Sequence, residues 1–228
     1  MTIILRSKST LDAPAPYLVP PLAGHRALSR YAAMTVGGAD GTVLASVPDA
    51  NGGPAASVPD AANSKVTRGS LSGVRTIDSA GVYETGRLVF GTTATHPVTS
   101  PWTVIAALAG HTGAAPALDL GNTRLTLNGA ASAVTRTGVS KTVSIPNGPA
   151  FLALTLDGDA SSLVINGGEP IPLAVGTTTR AATTPFFGRA NGGGVTRWID
   201  IAVIPAVVPA GDIEAIRAAW RTYYPILP

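Results

Sequence analysis

Apolar and polar positions change rhythm along this chain, and the changes mark its elements. The run Phe151-Leu152-Ala153-Leu154-Thr155-Leu156 alternates large and small side chains and stops at Asp157-Gly158-Asp159. It resumes as Ser162-Leu163-Val164-Ile165 before Asn166-Gly167-Gly168. Two apolar runs split by Asp-Gly, with Asn-Gly behind them, predict an antiparallel hairpin. Trp102-Thr103-Val104-Ile105-Ala106-Ala107-Leu108 is nearly continuously apolar, which predicts a central strand. Arg197-Trp198-Ile199-Asp200-Ile201-Ala202-Val203-Ile204 reads as another strand.

From Val66 onward the apolar runs recur at the intervals of a sandwich. They fall at 74–79, 86–90, 102–109, 117–120, 124–128, 133–136, 141–145, 149–156, 162–165, 170–175, 185–189 and 198–204. Turn signals separate them: Thr99-Ser100-Pro101, Gly121-Asn122, Asn128-Gly129, Pro146-Asn147-Gly148 and Asn191-Gly192-Gly193-Gly194. No strand–helix–strand alternation occurs, which argues against a parallel sheet. The rhythm changes once more near the end. Ile213, Ile216, Trp220 and Tyr223 follow at spacings of three and four, giving a helix over 210–224 whose stripe docks on the sandwich. Asp212 caps it or sits in its first turn, and Pro225 stops it.

The start of the chain differs. Leu11, Pro14, Pro16, Tyr17, Pro20 and Pro21 lie in a stretch where proline removes donors and fixes φ. Residues 1–34 therefore read as a Pro-rich arm on the surface of this domain or of a neighbour, with one or two helical turns over 26–34. Residues 35–228 form the sandwich and its closing helix. Within 37–64, Ala45-Ser46-Val47-Pro48-Asp49-Ala50 recurs as Ala56-Ser57-Val58-Pro59-Asp60-Ala61. A single duplication is too little for a solenoid, so it predicts two similar turns in a long loop across one edge.

Composition narrows the partners. Hydrophobic residues make up 45% of the 228, enough for a core, while charged residues reach only 13%. A surface so poor in charge relies on hydroxyls and amides, or is covered by other subunits. The net charge of +3 is weak, and the 16 Lys and Arg are scattered singly, which argues against nucleic acid. With no cysteine there is neither a disulfide nor a thiolate metal site. No window approaches the roughly 20 apolar residues of a membrane helix, so membrane insertion is not expected. Met1–Lys8 is too short and wrongly ordered for a signal peptide, so the protein is expected to be soluble without an export signal of its own.

Residues from about 40 to 224 resemble the concanavalin A-like, laminin-G-like jelly rolls, especially those of tailed-phage virion proteins. The resemblance rests on the loop Val47-Pro48-Asp49-Ala50-Asn51-Gly52-Gly53, the Trp102-led strand and the hairpin from Phe151 to Asn166. Phe186-Phe187-Gly188-Arg189 then precedes the strand Ile199-Asp200-Ile201-Ala202-Val203. The closing piece is Pro209-Ala210-Gly211-Asp212-Ile213-Glu214-Ala215-Ile216 with its Tyr223-Tyr224 ending. The resemblance implies an all-β fold: a two-sheet antiparallel jelly-roll sandwich, concanavalin A-like, with one short C-terminal helix and binding at one face or rim.

Hydrolases of this fold carry carboxylates at alternate positions on one strand. Hydrolysis needs two of them about 5–10 Å apart. Of Glu84, Glu169 and Glu214, only Glu214 has a carboxylate two residues away, Asp212, and that pair lies on the helix. Neither an enzyme nor any catalytic or cofactor-binding residue is expected. Asp157 and Asp159 alternate and offer a partial ligand set for Ca²⁺, which takes 6–8 oxygens; a turn using them for local hydrogen bonds is the plainer reading. No other metal or cofactor is indicated. His25, His96 and His111 share no metal-ligand spacing, and Asn191–Gly194 lacks the Lys-Ser/Thr of a phosphate loop. Trp102, Trp198 and Trp220 lie on apolar runs and belong in the core, leaving Tyr17, Tyr31 and Tyr83 as exposed aromatics.

Two functions follow. The first is a phage virion structural protein, a tail-associated or capsid-decorating subunit. It would be made in the host cytoplasm and found in the extracellular particle, its arm anchoring it to other virion proteins or to sister subunits in a homo-oligomer such as a trimer. The alternative is a carbohydrate-binding module that recognises a host surface glycan, marked by an exposed aromatic flanked by Asn or Asp.

Overall fold

The computed structural model describes residues 19–81, 83–90, 101–120, 123–136, 139–173, 185–188 and 194–228. The strands in chain order are β1 (Ser29–Ala32), β2 (Ser46–Val47), β3 (Ala56–Ser57), β4 (Val66–Leu71) and β5 (Val74–Ser79). A single helical turn, α1 (Tyr83–Gly86), leads to β6 (Arg87–Val89), β7 (Trp102–His111), β8 (Ala115–Asp119) and β9 (Thr123–Leu127). Then come β10 (Ser132–Arg136), β11 (Val139–Val143), β12 (Ala150–Leu156), β13 (Ser162–Ile165), β14 (Ile171–Pro172), β15 (Phe186–Gly188) and β16 (Thr196–Ile204). The helix α2 (Ala210–Tyr223) closes the chain.

These strands make two antiparallel sheets of eight, the expected jelly-roll sandwich with one C-terminal helix. The first sheet runs β14-β13-β12-β7-β16-β5-β4, with β1 also paired to β16. The second runs β11-β10-β9-β8-β15-β6-β3-β2. Strand β7 lies between β12 and β16 and is buried at all ten positions. The reason is that both faces of its sheet are covered. Val104, Ala106 and Leu108 point into the core between the sheets. Ile105, Ala107 and Ala109 point the other way, into a second core beneath α2. A strand buried on both faces reads as a continuous apolar run, not as an alternating one.

The second core holds Leu22, Ala27, Phe151, Ile199, Ile213, Ile216 and Trp220. The helix and the segment before β1, through Leu22 and Ala27, therefore form a third layer over the first sheet. Helix α2 starts on the backbone of Pro209, and Asp212 lies in its first turn. Ile213, Ile216 and Trp220 are buried as their spacing requires, but Tyr223 turns outward and is 36% exposed. Its place inside is taken by Tyr224, where the chain leaves the helix with φ −123°.

Several expectations need correction. The boundary at residue 34 cuts through the sheet: residues 29–32, read as helical, pair as β1 with Val203 to Asp200 of β16. The carbonyls of Pro20 and Pro21 are used within this domain, on Arg30 and Trp220. Leu11, Pro14, Pro16 and Tyr17 lie outside the described residues, as do His96, the turns at 99–100, 121–122 and 191–193, and strand positions 174–175 and 189. The repeat within 37–64 is not two loop turns: its copies pair with each other as β2 and β3, Ser46 opposite Ser57. Tyr31 is buried, stacked on Phe187 at 5.4 Å, and not exposed. Trp102, Trp198 and Trp220 are all buried, as read.

Candidate functional site

The covering layer is pinned by one charge pair. Arg30, on β1, donates through Nε to Asp200 Oδ1 at 3.1 Å and through Nη2 to Asp200 Oδ2 at 2.5 Å. Its Nη1 donates to the Pro20 carbonyl at 2.6 Å, and the guanidinium sits 5.2 Å from the centre of the Trp220 ring. The Tyr224 hydroxyl donates to Asp200 Oδ2 at 2.8 Å. Burial alone would lower the Arg30 pKa, but the Asp200 carboxylate reverses this and holds it above the ordinary value. Tyr224 is pushed well up, first by burial and then by the same carboxylate. A register shift aims Asp200 at this layer: Trp198 faces Leu108, whereas Asp200 faces Ala107, so Ile199 is the extra residue.

Two grooves open where the covering layer ends. The first, about 540 Å³, is lined by Met34, Ser72, Gly73, Val74, Arg75, Thr222, Tyr223, Tyr224 and Pro225. Its near wall is the two-residue turn joining β4 to β5, in which Ser72 (φ 49°) and Gly73 (φ 80°) both take positive φ. Arg75 is held in place by donating through Nη1 to the carbonyls of Met34 (3.2 Å) and Val36 (3.4 Å). Tyr223 is the one exposed aromatic side chain among the described residues. A shallower depression with Arg221 adjoins it through Thr222 and Pro225. This groove therefore presents an aromatic ring, two hydroxyl side chains and a fixed positive charge.

The second groove, about 720 Å³, is lined by Arg26, Ala27, Leu28, Asn51, Gly52, Gly53 and Pro205. Beneath it lies Asp49, 7% exposed. Asp49 Oδ1 accepts from the main-chain N–H of Arg30 at 3.1 Å and of Asn51 at 2.8 Å, while Oδ2 is buried without a hydrogen-bond partner. Burial raises the Asp49 pKa, and the two backbone donors offset only part of that rise.

The acidic residues weighed as catalysts do not meet in either groove. Glu84 pairs with Arg87 and Glu214 with Arg217, both at 2.7 Å, and Glu169 is exposed. Asp212 accepts from His25 Nε2 at 2.9 Å. Asp157 and Asp159 lie in the turn between β12 and β13, where the Asp157 N–H donates to Ser161 Oγ. No group of three His, Cys, Asp or Glu suited to a metal ion occurs among the described residues.

No protein-family model matches the chain, and no curated protein matches its sequence. Solved structures do. The binding domain of Paraclostridial Mosquitocidal Protein 1 superposes with a TM-score of 0.66 at 10% identity, over 88% of this chain and 53% of that one. The binding domain of botulinum neurotoxin DC, in complex with SialylT, gives 0.61 at 9% over 87% and 52%. Trypanosoma rangeli sialidase in complex with sialic acid gives 0.52 at 14% over 83% and 32%. The likeness is one of fold. This chain spans a third to about half the length of these neighbours.

The Arg30–Asp200 pair and Asp49 had no signal in the sequence, because each draws its meaning from partners that only the fold supplies. Tyr223 could have been found: of the two adjacent tyrosines, only one can face the core.

Proposed function

We propose that this domain is a carbohydrate-recognition module and that the Tyr223 groove is its binding surface. The observation that carries the reading is Tyr223 itself, exposed beside a positioned Arg75 and flanked by Ser72 and Thr222. An aromatic ring stacks on the C–H face of a sugar, and hydroxyl and guanidinium groups bind its oxygens. The flanking groups are Arg and hydroxyls, not the Asn or Asp looked for in the sequence. The positive charge favours glycans that bear a carboxylate. The fold neighbours that carry sialic acid or SialylT support the same direction. The virion-subunit reading draws no support from these neighbours, and glycan binding takes the leading place.

The test is a glycan array probed with the labelled chain and with Tyr223→Ala. Binding to a subset of acidic glycans is expected. The variant should bind about five- to tenfold more weakly, the value of one aromatic contact. An array with no bound glycan, or full binding by the variant, refutes the reading.

A further inference from the structure

The arginines of this domain divide by partner. Arg30, Arg68, Arg87, Arg124, Arg197 and Arg217 each pair with an Asp or Glu. Arg221, exposed in the last turn of α2, has no carboxylate within ion-pair distance among the described residues. Glu214 lies on the same helix, but Arg217 takes both of its oxygens, through Nε at 2.8 Å and Nη2 at 2.7 Å. The Glu214 pKa is lowered first by that hydrogen bond and last by the charge of Arg221. The nearest acid is therefore already engaged, and the Arg221 charge is left over.

That charge faces a particular place. Arg221 lines a depression of about 330 Å³ with Ala218, Thr222, Pro225 and Leu227. Thr222 and Pro225 also line the Tyr223 groove, so the two spaces adjoin. Arg75 stands in that groove, held by the Met34 and Val36 carbonyls, which fix its position and carry no net charge. Among the described residues that line the two spaces, none is Asp or Glu. A cation in the last helical turn complements the helix dipole, which accounts for a basic residue at 221. It does not account for a second arginine across Thr222. The same helix end presents carbonyls, so an anion settles there only on the guanidinium.

We propose that these two spaces are one binding site for a glycan with acidic groups on two sugar units. One group is held at Arg75 and the other at Arg221, while a ring of the glycan stacks on Tyr223. The inference deepens the glycan reading and rests on it. The chemistry required is a pair of anions on one oligosaccharide, and either carboxylates or sulfates supply it. A guanidinium meets both kinds of oxyanion with parallel N–H donors. A glycan with a single acidic group engages one cation and leaves the other in water.

The experiment is isothermal titration of the full chain with three probes: lactose carrying one sialic acid, lactose carrying two in series, and a heparin tetrasaccharide. The two-acid sialyl compound should bind about three- to fivefold more tightly than the one-acid compound, the value of one exposed ion pair. Added salt should narrow that difference. Arg221→Gln should abolish it while leaving the one-acid compound nearly unchanged, and Arg221→Lys should keep part of it. Arg26→Gln removes an arginine from the other groove and should change neither affinity. If Arg221→Gln does not fold, Ala218→Glu serves: it sets an acid three residues from Arg221 on the helix and should abolish the same difference. Heparin binding above or below that of the two-acid sialyl compound assigns the anions as sulfates or carboxylates, and either result keeps the paired-anion site. The site is overturned if one-acid and two-acid compounds bind alike and heparin binds no better. It is also overturned if Arg221→Gln changes both sialyl compounds equally, or if Arg26→Gln matches its effect, since net charge alone then explains the preference. If none of the probes binds and the array is empty, the glycan reading itself falls.

Discussion

Replacing Asp200 by alanine tests whether the covering layer is held by charge. Asp200 is fully buried and accepts two hydrogen bonds from Arg30 and one from Tyr224. Its loss leaves a guanidinium that is 3% exposed with the Pro20 carbonyl and the Trp220 ring as its remaining contacts. Breaking one partner of such a buried pair costs about 3–5 kcal/mol, because the other charge stays in a medium that cannot solvate it. In a domain of this size each kcal/mol moves the melting temperature by roughly 2–4 °C, so a drop of about 6–20 °C is expected. Thermal unfolding followed by circular dichroism measures it. The double variant Arg30→Met with Asp200→Leu removes both charges at similar volume and should recover most of the loss. Pair and coverage are separated by that comparison. If Asp200→Ala melts within about 3 °C of wild type, or the double variant is as unstable as the single one, the argument fails.

Two further outcomes follow from the same packing. His111 is 3% exposed, and burial lowers its pKa below the ordinary value, against a smaller opposing pull from the carbonyls of Gly113 and Pro146. The folded state thus binds this proton less readily than the unfolded chain. The stability this contributes is present above the ordinary histidine pKa and is lost as pH falls below it. Melting temperatures measured between about pH 7 and pH 5 should fall for wild type and fall less for His111→Gln; equal slopes refute the assignment. Trp220 is fully buried, its Nε1 donates to Pro21 O at 3.2 Å, and it meets Phe151 and Tyr224 edge-on at 5.9 and 6.0 Å. Trp220→Ala should cost about 3–5 kcal/mol in urea unfolding, and a loss below 1 kcal/mol would place the helix outside the core.

What the sequence made legible was whatever its own neighbours determine. The hairpin of β12 and β13, central β7 and the spacing of α2 are strong local patterns, and they survive except at Tyr223, which turns outward. The strands that escaped are short or polar. Strand β1 reads Ser-Arg-Tyr-Ala, and an arginine there looks exposed until Asp200, 170 positions away, is brought beside it. Strand β4, Val-Thr-Arg-Gly-Ser-Leu, carries a glycine and three polar residues because only two of its positions are buried. Strands β2 and β3 have two residues each, below the length at which alternation can be read. The grooves were illegible for a similar reason. Each joins residues from the two ends of the chain, and nothing in either segment alone announces the other.

The covering layer also decides where a ligand can bind. Leu22, Ala27, Ile213, Ile216 and Trp220 fill the outer face of the first sheet, so that face offers no flat surface to a ligand. Among the described residues, grooves open on this side where the cover stops, at Met34 and Pro225 and at Arg26–Leu28 and Pro205. Both grooves are bounded by segments that Arg30 anchors: β1 lies between them, and Arg30 N–H donates to Asp49. A change at Arg30 or Asp200 therefore moves fold and grooves together and cannot report on recognition by itself. Tyr223 stands on the rim, outside that network. A substitution at Tyr223 is the one that divides recognition from stability, because it removes a ring that the core does not use.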